Sequence, residues 1–211
     1  MSVIAFCAQK GGVGKTTGSV HFAVWLQRKK KKVAFLDADP QGSGSMWLSS
    51  MQLPIRIIKL SDANDLIEQI PDLSEQTDYV VVDGAPNSGE ATRAVLCLSD
   101  VSVTPVQPSG LDLSSTGDIV RLIKSAQKIS GGLPKPAIFL NRAFKGTRLK
   151  KEALEVLNQF PDVALLKTAI HQKQAISDCF TQEGTIWDIS GAKESAKEFE
   201  SLFNEILKLL K

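Results

Sequence analysis

The segment Lys10-Gly11-Gly12-Val13-Gly14-Lys15-Thr16-Thr17 constrains this chain more than any other. It follows the apolar run 3–8 and precedes a stretch, 15–28, with apolar groups at Val20, Ala23, Val24 and Leu26 that suits a helix. Three glycines in four positions weaken both strand and helix, so the chain turns there with backbone N–H groups uncovered by side chains. At the start of a helix those amides and the positive dipole end converge on an anion. Gly11, Gly12, Val13 and Gly14 therefore form a phosphate loop. Lys15 is placed to reach the outer phosphates, Thr16 to hold magnesium and Thr17 to meet the α-phosphate. The strict form of such a loop has a glycine five residues before Gly14, where this chain has Gln9, and here an additional lysine stands at position 10.

Further apolar runs at 33–36, 79–82, 101–106 and 137–140 are continuous rather than alternating, as expected of strands buried on both faces. The run 55–60 is a candidate for one more. Helical stretches fall between them, near 61–70, 88–98, 112–129, 147–159, 172–182 and 193–210. Strands alternating with helices predict an α/β fold: a mostly parallel, twisted sheet with helices on both faces, three layers in all. The chain has 211 residues, of which 43% are hydrophobic, and it shows no internal repeat or Gly/Ser linker. Residues 1–211 are thus expected to be one domain. The start has no basic segment before a long apolar run, and three scattered cysteines suit a reducing compartment, so a cytoplasmic protein is expected.

Two of the strand candidates end in acids: Asp37-Ala38-Asp39-Pro40-Gln41 follows the second, and Asp83-Gly84-Ala85-Pro86 follows 79–82. Carboxylates at the carboxyl ends of parallel strands face the crevice where ligands bind, and magnesium takes carboxylates directly or through its waters. Asp83 is therefore the expected metal-side acid.

The form KGGVGKTT, with its early lysine, resembles the deviant Walker A motif of the ParA/MinD family of P-loop NTPases, and the later landmarks fall in the family's order over nearly the whole chain. The resemblance implies an ATPase with ATP and Mg²⁺ as cofactors. It implies that Lys10 crosses a dimer interface to the partner's nucleotide, coupling ATP binding to homodimerisation. Asp37 and Asp39 then match the family's switch pair, Asp37 near the metal's water shell and Asp39 orienting the attacking water. Asn141, at the end of the strand 137–140, matches the position that contacts adenine.

Within the family, a MinD-like membrane protein would end in an added basic amphipathic helix. Here the last helix carries Phe199, Leu202, Phe203, Ile206 and Leu210 as one stripe, expected to pack on the domain, so no stable membrane anchor is expected. An iron–sulfur relative would need paired cysteines, whereas Cys97 reads as a buried structural thiol. A small-molecule ATP-dependent ligase on the same scaffold would have no use for Lys10 at a nucleotide sandwich. The chain most resembles the ParA branch, with the MinD-like and ligase readings as alternatives, and that resemblance implies an ATP dimer that binds DNA non-specifically on the nucleoid and is released when a cargo adaptor protein stimulates hydrolysis. Net charge is only +2, but residues 121–173 carry eleven basic against three acidic side chains. That segment suits phosphate-backbone binding. Its candidates are Arg142, Lys145, Arg148, Lys150 and Lys151, with Lys167 and Lys173 beside them. The run 28–32, five cations, reads as a charged helix end and turn.

Overall fold

The computed structural model describes residues 1–87 and 89–211, and Leu111 by its backbone alone. The apolar runs become strands of one parallel sheet: β1 (Ser2–Phe6), β2 (Val33–Asp37), β3 (Arg56–Lys59), β4 (Tyr79–Asp83), β5 (Val101–Val106), β6 (Lys135–Leu140) and β7 (Ala164–Leu165). Their order is β3-β2-β4-β1-β5-β6-β7. Every residue of β2 and β5 is buried, which is why those runs do not alternate. The helices are α1 (Lys15–Arg28), α2 (Ser43–Ser50), α3 (Ala63–Gln76), α4 (Glu90–Cys97), α5 (Gly110–Ile129), α6 (Arg148–Leu157), α7 (Gln174–Thr181) and α8 (Lys193–Lys208).

Two cores sandwich the sheet, as the three-layer expectation requires. On one face Ile4, Phe6, Phe35 and Phe139 pack with Phe22, Leu48, Phe199 and Phe203 of α1, α2 and α8. On the other, Ala5, Leu36, Val80 and Val82 meet Leu66, Ile70, Val95 and Ile123 of α3, α4 and α5. Most of the expected stripe is employed in this packing: Phe199, Leu202, Phe203 and Ile206 are each at most 2% exposed, while Leu210 falls just past α8 and is half-buried. Among the described residues no helix is long and apolar enough to cross a membrane.

Several local readings change. The helix expected over 61–70 runs on through Pro71 to Gln76, capped at its start by the Asp62 carboxylate on the amides of Asn64 and Asp65. The region around Met46-Trp47-Leu48 is a helix, α2, and the two-residue β7 is too short for any periodicity to reveal. Ser88, the first residue of the helix expected over 88–98, lies outside the described residues. Cys97 is half-buried rather than buried, because α4 ends there and leaves it on the margin of the α4–α5 contact.

His21 ties α1 to the late segment 184–188. Its Nδ1 lies 2.7 Å from the Thr17 carbonyl, and its Nε2 accepts the Ile186 amide at 3.1 Å. One nitrogen must donate and the other accept, so the ring is neutral, and burial pushes its pKa down to about 4. The unfolded chain takes up a proton near pH 6.5 that the folded chain refuses. Stability is therefore fully present above that pH and is lost as pH falls towards 4. Between pH 7.5 and pH 5 the wild type should lose about 2 kcal/mol more unfolding free energy in urea than a His21→Gln variant, the titration of Asp83 being common to both and cancelling in the comparison.

Candidate functional site: a phosphate loop over two aspartates

The loop between β1 and α1 is held from below by three donors. Asn141 Nδ2 donates to the Val13 carbonyl at 2.7 Å, Gln107 Nε2 to Gly12 at 3.1 Å, and Lys15 Nζ to Lys10 at 3.1 Å. Each satisfies a carbonyl oxygen, the part of the backbone that repels an anion, and leaves the amides for one. Gly14 sits at φ +103°, and a Cβ there would come within 2.1 Å of Asn141 Nδ2. Only glycine permits both the left-handed turn and the approach of Asn141.

The parallel register of β2 and β4 sets Asp37 beside Asp83, and both are buried. Their surroundings differ. Asp37 Oδ1 accepts the Asp39 amide at 3.2 Å and Oδ2 the Ser45 amide at 2.7 Å, so this carboxylate pins both the switch loop and the first turn of α2. Among the described residues neither oxygen of Asp83 accepts a hydrogen bond of good geometry, although the hydroxyls of Thr16 and Ser19 lie close enough to favour its charged form. Burial pushes its pKa up to about 7 and Asp37 adds to the rise, while Thr16, Lys15 and Ser19 oppose it. An orphaned buried carboxylate is costly unless a cation completes it. Asp83 with the Thr16 hydroxyl is the oxygen donor set that magnesium takes, and Asp37, with both oxygens engaged, suits contact through the ion's waters. Gly44 in α2 makes room for this pair, since a Cβ there would lie 2.8 Å from the Phe35 ring and 3.1 Å from Asp83 Oδ2.

Above these acids opens a cleft of about 250 Å³, lined by Gly11, Lys15, Thr16, Thr17, Asp39 and Arg142 among others. Lys15 is 6% exposed. Burial lowers its pKa, and the charges of Asp83 and Asp39 counter that. Asp39 is half-buried, with Oδ1 on the Gln41 amide at 3.0 Å. A second, smaller cleft joins Thr17, Asn141, Arg142, His171, Gln172 and Ile176. There one N–H of the Asn141 amide is taken by the loop, and its second N–H and its Oδ1 are the groups it can offer to a ligand.

The residues expected on a DNA-binding stripe differ in their surroundings. Arg142, with φ +52°, lines both clefts instead. Lys145 and Lys173 share Glu194, Arg148 pairs with Glu152, and Lys150 Nζ lies 3.2 Å from His171 Nε2. Lys151 and Lys167 are exposed. Lys10 is paired with Asp112 of α5 at 2.8 Å. Asp112, Gln107, His21 and Gly44 are site residues that sequence reasoning did not find. Their partners are distant in the chain: Asp112 meets Lys10 across 102 positions, Gln107 meets Gly12 across 95, His21 meets Ile186 across 165, and Gly44 closes on Asp83.

With this geometry the comparisons with known proteins agree. The family model of the CobQ/CobB/MinD/ParA nucleotide binding domain matches residues 4–186. The chain belongs to this family. It is a P-loop ATPase of the ParA/MinD type, with ATP and Mg²⁺ as cofactors. Maintenance of carboxysome distribution protein A from Halothiobacillus neapolitanus is 26% identical over 212 residues, covering 97% of this chain and 95% of that protein. The sporulation initiation inhibitor protein Soj of Bacillus subtilis is 25% identical, covering 83% and 86%. Among solved structures, apo McdA from Cyanothece superposes with a TM-score of 0.84 at 18% identity, over 98% of this chain and 99% of that one. MinD from Pyrococcus horikoshii, complexed with Mg-ADP, does so with 0.80 at 19%, over 99% and 97%. At these identities the structures establish the ParA/MinD fold.

Proposed function

We propose that this ParA/MinD ATPase positions or partitions a cargo by an ATP-gated dimer cycle. The observation that carries the reading is the cleft itself. It is lined by the phosphate loop, Lys15, Thr16 and Asp39, with the buried Asp83 facing the Thr16 hydroxyl behind it, yet Gly11 and Gly12 at its rim are exposed. A nucleotide seated there stays open on one side. A second copy, laid across the rim with Lys10 reaching its nucleotide, closes it. The names of the relatives matched over most of the chain, carboxysome distribution and Soj, supply the cargo-positioning role.

In this reading the loop amides and Lys15 bind the phosphates. Thr16 and Asp83 hold the magnesium ion, with Asp37 behind its waters, and the ion when bound neutralises charge on the outer phosphates. Asp39 orients the attacking water, a positioning task of the kind that governs phosphoryl transfer. Asn141 Oδ1 accepts from the exocyclic amine of adenine, an amine that guanine does not present at the corresponding place. The dimer binds DNA through phosphate contacts from Lys150, Lys151, Arg148 and Lys145. The ion pairs of Lys145 with Glu194 and of Arg148 with Glu152 are exposed and weak enough for phosphates to displace. An adaptor protein on the cargo stimulates hydrolysis and releases the dimer from the nucleoid.

Light scattering and DNA-binding anisotropy with Mg-ATP, Mg-ADP and no nucleotide test this directly. A dimer is expected with Mg-ATP alone, and DNA affinity should fall at least tenfold between about 50 and 200 mM salt, as counterion release requires. A monomer in every nucleotide state, or binding indifferent to ATP and salt, overturns it.

A further inference from the structure

Lys10 is the loop residue whose task in a nucleotide sandwich lies on the other subunit, yet here it is docked on its own chain. Its Nζ meets Asp112 Oδ1 at 2.8 Å, 102 positions away, and the two ends are unlike: the lysine side chain is 41% exposed and the aspartate 8%. Asp112 is held rigidly. Its Oδ2 accepts the Ser109 hydroxyl at 2.7 Å, Ser109 Oγ caps the Asp112 amide at 3.3 Å, and the acid stands in the first turn of the twenty-residue α5, where the helix dipole favours it. The same β5–α5 connection holds the loop through Gln107 on the Gly12 carbonyl. A fixed, mostly buried carboxylate thus faces a long flexible cation that can swing to solvent, which is the arrangement of a dock and not of a structural ion pair in a core.

We propose that Asp112 is a positioning residue for Lys10: it retains the ammonium on the free subunit and competes with its reach across the dimer interface. The inference rests on the sandwich reading above. Two docks must open for each dimer formed, so their effects multiply. An ion pair with one exposed partner shifts an equilibrium by a factor of a few, and two together set the dimerisation threshold about tenfold higher than it would be without Asp112.

The test uses Asp112→Asn, which keeps the shape and the Ser109 contact while removing the charge, and Ser109→Ala, which leaves both charges and loosens the carboxylate. In the nucleotide-free chain, acylation of Lys10 followed by mass spectrometry should be several-fold faster in Asp112→Asn than in the wild type, with exposed Lys31 as the internal reference. With Mg²⁺ and a slowly hydrolysed ATP analogue, sedimentation should show dimerisation about tenfold tighter for Asp112→Asn, and a smaller shift in the same direction for Ser109→Ala. Unchanged Lys10 labelling, or dimerisation equal to or weaker than wild type in both variants, overturns the dock. Lys10→Ala separates the two levels. If it dimerises as the wild type does, the sandwich reading fails; if it is monomeric while Asp112→Asn matches the wild type, only the dock fails.

Discussion

Replacing Asp39 by alanine should lower ATP turnover by about 100-fold or more while ATP remains bound and the dimer remains formed. Asp39 is the acid of the site with the least structural employment. Among the described residues its carboxylate takes one hydrogen bond, from the Gln41 amide at 3.0 Å, which closes a turn at the surface. Its half-exposed carboxylate lines the cleft beside Lys15 and Thr16. Asp37 behaves oppositely. It is fully buried and anchors both Asp39 and Ser45, so Asp37→Ala should loosen the switch loop and α2 and reduce binding and turnover together. The split between the two variants, turnover alone against turnover with affinity, is readable from single-turnover kinetics and ATP titration. Wild-type hydrolysis by Asp39→Ala would remove it from the mechanism.

The second large effect concerns Lys15. Lys15→Met should weaken Mg-ATP binding at least about 100-fold, because a charge-assisted contact to phosphate in a water-poor cleft is lost. The same change should leave the melting temperature of the nucleotide-free chain equal or higher. Lys15 is buried, its ammonium is disfavoured by that burial, and among the described residues that ammonium makes one hydrogen bond, to the Lys10 carbonyl. The charge is therefore held against the preference of the fold, and methionine fills the space without it. Thermal melting with and without Mg-ATP checks both halves. Wild type should gain stability with ligand and the variant should gain almost none. A variant that melts well below wild type without nucleotide would show that Lys15 supports the loop and not only the phosphates.

Much of the site was legible in the linear chain because its chemistry is local. Strand, glycine turn, Lys15 and Thr16 are consecutive, and the acids Asp37 and Asp83 close apolar runs whose burial demands a parallel sheet. The charge excess of 121–173 was equally visible, but its meaning was not. Glu194 of α8 meets Lys145 and Lys173, Glu198 meets His171, and Arg142 turns back to the nucleotide clefts. Those partners come from a helix whose sequence advertises only its apolar stripe, so counting charges along a window could not find them.

By itself the sequence determined which groups are available: a phosphate loop, two strand-end acids, an amphipathic last helix and the spacing that makes an α/β sandwich. Such features depend on neighbours within a few residues, where helix and strand periodicity act. Tertiary structure alone decided which groups face one another. Parallel register brought Asp37 to Asp83 across 46 positions, and the β1–β5 neighbourhood carried Asp112 to Lys10. The absence of side chains at Gly14 and Gly44 let Asn141 reach the loop and α2 close over the acids. Pairing across a sheet is fixed by the packing of whole faces, and no short window of residues contains that information.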